Sequence, residues 1–254
     1  MSAAEAADTA GRLREVDLQA VTTLLCDADG NLFPSEEPAF EASADVINRV
    51  LEELGSDKRY EAEELRLAAT GKTFRVTVTE LAVAAGGDPS PEDLERWVAE
   101  EQRAVSAHLG RTLVPDPEVV GALTRLGERL TLAAVSSSAL GRLDACFRVT
   151  DLADLLPVQR RFSAEDSLPR PTSKPDPAVY RLAIQRLGIT PEQGLAIEDS
   201  PTGARSAVGA GLATVGNLRF VAPAEREQRI AELTDAGVCA IVSSWTELER
   251  LLAG

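Results

Sequence analysis

The chain has one histidine, His108, among its 254 residues. A histidine-rich metal site is therefore excluded, and any mechanism built on an imidazole base would rest on that single residue. Lysine is nearly as scarce, since Lys58, Lys72 and Lys174 are the only lysines among 26 basic residues. At each of these positions a compact ammonium has been kept where the chain otherwise uses guanidinium groups. Cys26, Cys146 and Cys239 stand far apart with no C-x-x-C spacing, which indicates free thiols in a reducing compartment rather than a disulfide framework. Long apolar runs are missing too, so no segment qualifies as a membrane span. The Ala-rich start, residues 1–20, is interrupted by Glu5, Asp8, Arg12, Arg14, Glu15 and Asp17 and lacks the apolar centre of a signal peptide. Positive charge is in deficit: 26 Lys and Arg against 41 Asp and Glu give −15. That balance disfavours a nucleic acid or membrane partner. The expectation is a soluble, cytoplasmic, acidic globular protein, a monomer or small homo-oligomer.

What is present is a repeated switch between short apolar runs and helical spacing. Val21–Cys26, Leu130–Val135, Gly194–Ile197, Leu212–Val215 and Cys239–Val242 read as buried strands. Between them, Val119, Val120, Leu123 and Leu126 share one helical face, as do Val179, Leu182, Ala183 and Leu187, with Gly188 as a stop. Strands alternating with helices predict an α/β fold: a doubly wound, Rossmann-like parallel sheet covered on both faces. Ligands of such sheets bind beyond the carboxyl ends of the strands. Residues 34–115 break the rhythm with helices predicted over Ala39–Leu54, Val76–Ala85 and Glu92–Leu109. Ser90-Pro91-Glu92-Asp93 is a helix start, with N-cap, proline and acid in order. The chain is thus expected to form a core from 1–33 and 116–254, with 1–20 as an N-terminal extension and an all-helical insertion at 34–115. Leu168–Pro177 is a proline-rich loop. A chain of this length suits one core domain with a smaller one inserted.

Four short motifs fall at the predicted strand ends. Asp27-Ala28-Asp29-Gly30-Asn31 follows the first strand, and its two carboxylates can converge on one cation or phosphate. Ser136-Ser137-Ser138 follows the second core strand, where a hydroxyl and helix-opening N–H groups can hold an anion. Lys174-Pro175 sets an ammonium at the mouth of a helix. Glu198-Asp199-Ser200 places an adjacent acid pair at a buried strand end, an arrangement that needs a neutralising cation. Taken singly, the two acidic motifs read equally well as polar or helix-capping turns and the serine run reads better as an N-cap, while the scarcity of lysine weakens the reading of Lys174 as a solvated loop residue.

As an ordered set, Asp27-x-Asp29-Gly30, Ser136, Lys174-Pro175 and Glu198-Asp199-Ser200 resembles the haloacid dehalogenase-like hydrolase superfamily, and within it the phosphatases related to β-phosphoglucomutase. The insertion lies where those families place a helical cap, which would close over a bound substrate. The resemblance implies a Mg²⁺-dependent phosphatase acting on a small phosphorylated metabolite such as a sugar, polyol or phosphoglycolate-like ester. By this resemblance Asp27 is the nucleophile that becomes an aspartyl phosphate, and Asp29 protonates the leaving alcohol and then activates water. Mg²⁺ would be held by Asp27, the main-chain carbonyl of Asp29, Asp199 and, directly or through water, Glu198. Ser136 and Lys174 would hold the phosphoryl oxygens, with N–H groups near Gly30 and Ser137 assisting.

Two departures from the family pattern matter. Asn31 stands where Thr or Val is commoner. The mutase has a histidine soon after the first motif, whereas Phe33–Phe40 contains none and Ala39 falls near that position, which disfavours a phosphosugar mutase. Asp29 also argues against the dehalogenase and phosphonatase branches. A phospho-acceptor signalling domain or an idle binding protein remains the rival class. In the insertion, Thr70-Gly71-Lys72-Thr73 ends like a P-loop, but Arg66 occupies the required first glycine position. Lys72 and Arg75 are instead candidates to contact the non-phosphate part of the substrate. His108 is expected at a surface or cap position, and Trp97 and Trp245 in packing.

Overall fold

Strand β1 (Thr23–Cys26) lies at the centre of a six-stranded, wholly parallel sheet in the computed structural model, which describes residues 16–69 and 72–253. Its companions are β2 (Thr131–Ser136), β3 (Arg161–Ser163), β4 (Gly194–Glu198), β5 (Ala213–Asn217) and β6 (Ala240–Val242), in the order β3-β2-β1-β4-β5-β6. Thr70, Gly71 and residues 1–15 of the N-terminal extension lie outside the described residues. Every residue of β1 and β4 is buried, as strands covered on both faces must be. Leu25 is in register with Ala133 on one side and Ala196 on the other, and β2 and β4 run two and one residues past the end of β1. The strand order reverses between β1 and β4. In open parallel sheets, ligands bind at such a switch point, beyond the carboxyl ends of the strands.

The described residues form ten α-helices: α1 (Glu36–Glu53), α2 (Ala62–Ala68), α3 (Phe74–Ala84), α4 (Pro91–Thr112), α5 (Pro117–Gly127), α6 (Leu140–Val149), α7 (Ala178–Leu187), α8 (Pro201–Gly209), α9 (Arg226–Ala236) and α10 (Trp245–Ala253). Several start where the local chemistry requires it. Asp116 accepts from the N–H groups of Glu118 and Val119, with Pro117 leading α5. Ser90 and Asp93 form a reciprocal capping box ahead of α4. At the other end of α7, Gly188 takes a left-handed conformation, φ 67°.

The chain divides into two compact units: residues up to Pro34 together with those from Val114, and residues Ser35–Leu113. The first holds the sheet. Leu25, Val135, Phe162, Val179, Tyr180 and Ala183 pack on one another there, and Leu218, Leu233 and Val238 form a further cluster. The second consists of α1–α4 around Ile47, Val50, Leu51, Leu65, Val78 and Trp97. No helix among the described residues is long and apolar enough to cross a membrane. All three cysteines are buried and free.

Two elements depart from the sequence reading. Strand β3 consists of Arg-Phe-Ser, which has no apolar run to reveal it. It exists because it pairs with β2 through Ala134↔Arg161 and Ser136↔Ser163. Buried Arg161 is satisfied by the carbonyls of Leu156 and Ala153 (2.5 and 3.1 Å) and by Asp144 (3.0 Å). Helix α2 has seven residues with only Leu65 buried, too short for a periodic face, and is started by a Glu61–Glu64 capping box.

Candidate active site

The ends of β1 and β4 bring Asp27, Glu198 and Asp199 together, with one oxygen from each lying within 4.8 Å of the others. All three side chains are buried. Their neutraliser is Lys174, whose ammonium donates to Asp27 Oδ1 (2.5 Å), Glu198 Oε1 (2.7 Å) and the Val135 carbonyl (2.8 Å). An ammonium has three protons, and here each finds one acceptor around a compact point. A planar guanidinium fork cannot take this place, which answers why a lysine survives here in an arginine-rich chain. The main-chain N–H of Lys174 donates to Ser137 Oγ at 3.1 Å, tying the loop to the end of β2.

The charge balance is incomplete: three carboxylates meet the Lys174 ammonium, paired with Asp27 and Glu198, and the Arg229 guanidinium, 3.8 Å from Asp199. Burial, then the Glu198 charge, push Asp199 up to about 7, with Arg229 and Lys174 pulling the other way. Burial likewise raises Asp27 well above the carboxylate range despite Lys174, and Glu198 and Asp199 reinforce the shift. Burial works against the charge on Lys174, but Asp27 and Glu198 outweigh it and hold the group upward. Glu198 Oε2 is buried and has no hydrogen-bond partner. An orphaned carboxylate oxygen in a surplus of buried negative charge fits a hard divalent cation such as Mg²⁺. Two glycines make the room. Gly30 has φ 78°, and a Cβ there would collide with Asp199 Oδ2; a Cβ at Gly203 would run into Glu198 Oε2. The N–H of Gly30 is committed to the Phe33 carbonyl at 3.0 Å. What Gly30 itself contributes to the site is shape.

Asp29 lies apart from the three converging carboxylates. Arg142 donates to its Oδ1 at 2.9 Å and Ser138 Oγ to its Oδ2 at 2.7 Å, with Ser136 Oγ at 3.5 Å. Ser136 Oγ also accepts from the Ser138 N–H at 2.9 Å, so the serine run folds back on itself at the end of β2.

Arg142, Arg229 and Tyr180 were not singled out by the sequence, and Ser138 was named only as part of the serine run. Arg229 on α9 donates to the Asp199 carbonyl at 2.7 Å, and its charge lies 3.8 Å from Asp199 Oδ2. Tyr180 on α7 donates to Glu198 Oε1 at 2.5 Å. Only its place beside Val179 and Ala183, on a face already marked as buried, hinted that a phenol was being taken into the core.

Asn31 joins the first motif to the rest of the core. Its Nδ2 donates to the carbonyls of Asp27 (2.9 Å) and Ile197 (3.2 Å), and its Oδ1 accepts from Asn217 (2.8 Å). Trp245 Nε1 donates to the Asn31 carbonyl at 3.2 Å, so this tryptophan fixes the motif as well as packing. Asn31→Ala strands these buried groups and is expected to cost about 1–3 kcal/mol. A urea midpoint equal to that of the parent would refute the assignment.

In the helical unit, Lys72 pairs with Glu80 (2.7 Å) and Arg75 with Glu95 (2.9 Å). His108 meets Glu41 at 2.9 Å from within α4 rather than at a helix end.

A wholly parallel sheet with carboxylates, hydroxyls and an ammonium gathered at its strand ends is the arrangement of an α/β enzyme. The haloacid dehalogenase-like hydrolase family model matches residues 21–211, and the chain belongs to that family as an enzyme, a hydrolase. Protein CbbY of Cereibacter sphaeroides is 31% identical over 210 residues, 79% of this chain and 85% of that protein. The phosphorylated carbohydrates phosphatase of Thermotoga maritima is 30% identical over 190 residues, 74% of this chain and 81% of that protein. A crystal structure of a Thermotoga maritima protein provisionally named β-phosphoglucomutase superposes with a TM-score of 0.69 at 26% identity, covering 92% of this chain and 99% of that one. These similarities agree with the β-phosphoglucomutase-like branch implied by the motifs.

Proposed function

We propose that this protein is a Mg²⁺-dependent phosphatase that hydrolyses a small phosphorylated metabolite, a sugar phosphate above all, through an aspartyl phosphate on Asp27. The observation that carries this reading is the buried Asp27–Glu198–Asp199 cluster, under-neutralised by Lys174 and holding one orphaned oxygen. The phosphorylated carbohydrates phosphatase among its relatives supports the choice of a sugar phosphate.

Asp27, Glu198 and Asp199 would hold Mg²⁺, with the main-chain carbonyl of Asp29 beside them. When bound, the cation screens the carboxylates from the incoming phosphate and stabilises charge on the phosphoryl oxygens. In the first step a carboxylate oxygen of Asp27 forms a bond to phosphorus while the bond from phosphorus to the alcohol oxygen breaks. Asp29 supplies the proton that leaves with the alcohol. In the second step Asp29 takes a proton from water, whose oxygen bonds to phosphorus as the aspartyl–phosphate bond breaks. Inorganic phosphate departs and Asp27 is regenerated. Ser136 holds a phosphoryl oxygen through this cycle, Lys174 offsets the charge of Asp27 and Glu198 beside the phosphoryl group, and Arg142 and Ser138 keep the Asp29 carboxylate at the strand end.

The test is a panel of phosphorylated sugars, polyols and phosphoglycolate, scored by kcat/KM for phosphate release with Mg²⁺ and again with EDTA. Many turnovers per protein are expected with the metal and none with the chelator. Isomer exchange that depends on a bisphosphate activator would point to a mutase, and a single stable phosphorylation event to a phospho-acceptor domain. Failure of the whole panel would remove the phosphatase reading.

A further inference from the structure

Glu198 is served unevenly by its surroundings. Its Oε1 accepts from both Lys174 Nζ (2.7 Å) and Tyr180 OH (2.5 Å), while its Oε2 is buried with no protein partner. A buried carboxylate normally spreads its donors over both oxygens, because each has lone pairs that lose water on burial. Here two donors crowd one oxygen, and the carboxylate lies against Gly203, where a Cβ would collide with both oxygens. The Tyr180 ring also lies against Lys174, with the ammonium 5.1 Å from its centroid, and Tyr180 itself is fully buried. The phenol therefore touches both the carboxylate and its counter-ion, from α7 rather than from any of the motif loops.

We propose that Tyr180 is a positioning residue for the metal: its hydroxyl pins Glu198 by Oε1 and so reserves Oε2 for the cation. Two donors fix the carboxylate's rotation, where Lys174 alone would leave it free to turn about the axis of a single contact. Rotation would carry Oε2 towards Lys174, trading a metal ligand for another ion pair. The hydroxyl prevents that trade, and it costs the site nothing in charge. The proposal rests on the metal reading given above.

Tyr180→Phe keeps the ring against Lys174 and removes only the hydroxyl. Isothermal titration with MgCl₂ is expected to show Mg²⁺ binding weakened by about 10-fold or more, the range found when groups that orient metal ligands are removed. At saturating Mg²⁺ kcat should be largely kept, and the melting temperature in EDTA should stay near that of the parent. A purely packing role would leave the affinity unchanged, and an unchanged Mg²⁺ affinity overturns the proposal. Glu198→Gln separates the two levels. If it binds Mg²⁺ as tightly as the parent, the metal reading itself fails. If it is weakened while Tyr180→Phe is not, only the role of Tyr180 falls. Should Tyr180→Phe fail to fold, 3-fluorotyrosine labelling gives an independent readout, because the chain has two tyrosines, Tyr60 and Tyr180. Mg²⁺ should then shift the Tyr180 fluorine resonance and leave that of Tyr60 in place. A Tyr180 resonance indifferent to Mg²⁺ also overturns the proposal.

Discussion

Asp27→Asn will abolish phosphate release while the protein stays folded. An amide cannot attack phosphorus as a carboxylate does, and removal of a nucleophile in comparable covalent hydrolases costs on the order of 10⁶-fold in kcat. The fold should survive because asparagine matches aspartate in shape and its carbonyl can still accept from Lys174, the partner of Oδ1 at 2.5 Å. The substitution also takes one like charge out of a buried cluster in which burial and neighbouring carboxylates raise Asp27 well above its ordinary range. In EDTA the variant should therefore melt at or above the parent's temperature. Measured turnover of an aryl phosphate and of the preferred sugar phosphate decides the matter: substantial residual activity would remove Asp27 from the nucleophile's position.

The second large effect is on stability. Lys174→Met takes away the cation shared by Asp27 and Glu198, and leaves the buried Val135 carbonyl without its 2.8 Å donor. Breaking a buried ion pair by deleting one partner typically costs about 3–5 kcal/mol, because the remaining charges stay desolvated. Urea denaturation in EDTA should show a loss of that size, and MgCl₂ should recover part of it, since a divalent cation neutralises the same carboxylates. Lys174→Arg should not restore the parent, because its planar fork cannot place three donors around one point. A midpoint unchanged in EDTA would mean that the three carboxylates are relieved by something other than Lys174.

The legibility of the sequence followed the range of the interactions involved. Strands β1, β2, β4 and β5 announced themselves through apolar runs, because a strand buried on both faces needs apolar side chains at every position. Strand β3 could not, since its Arg161 is made tolerable by carbonyls of Ala153 and Leu156 and by Asp144, partners that only the folded chain supplies. The same divide runs through the site. Asp27, Ser136, Lys174, Glu198 and Asp199 were visible because each ends or directly follows a strand or, for Lys174, lies in the proline-marked loop before a helix, positions that local patterning marks. Tyr180, Arg142 and Arg229 were not, because each reaches the site from the body of a helix and carries no neighbouring motif.

The sequence alone carried the resemblance to the family: Asp27-x-Asp29-Gly30, Ser136, Lys174-Pro175 and Glu198-Asp199-Ser200 stand in the family's order, and one histidine left any imidazole mechanism to His108. Tertiary structure alone decided how those groups share charge. It set three acceptors around one ammonium, stacked two donors on one oxygen of Glu198, and left the other without a partner. The physical reason is that strand and helix periodicities are local properties of the chain. Desolvation and charge pairing depend on which distant residues the fold brings within a few ångströms.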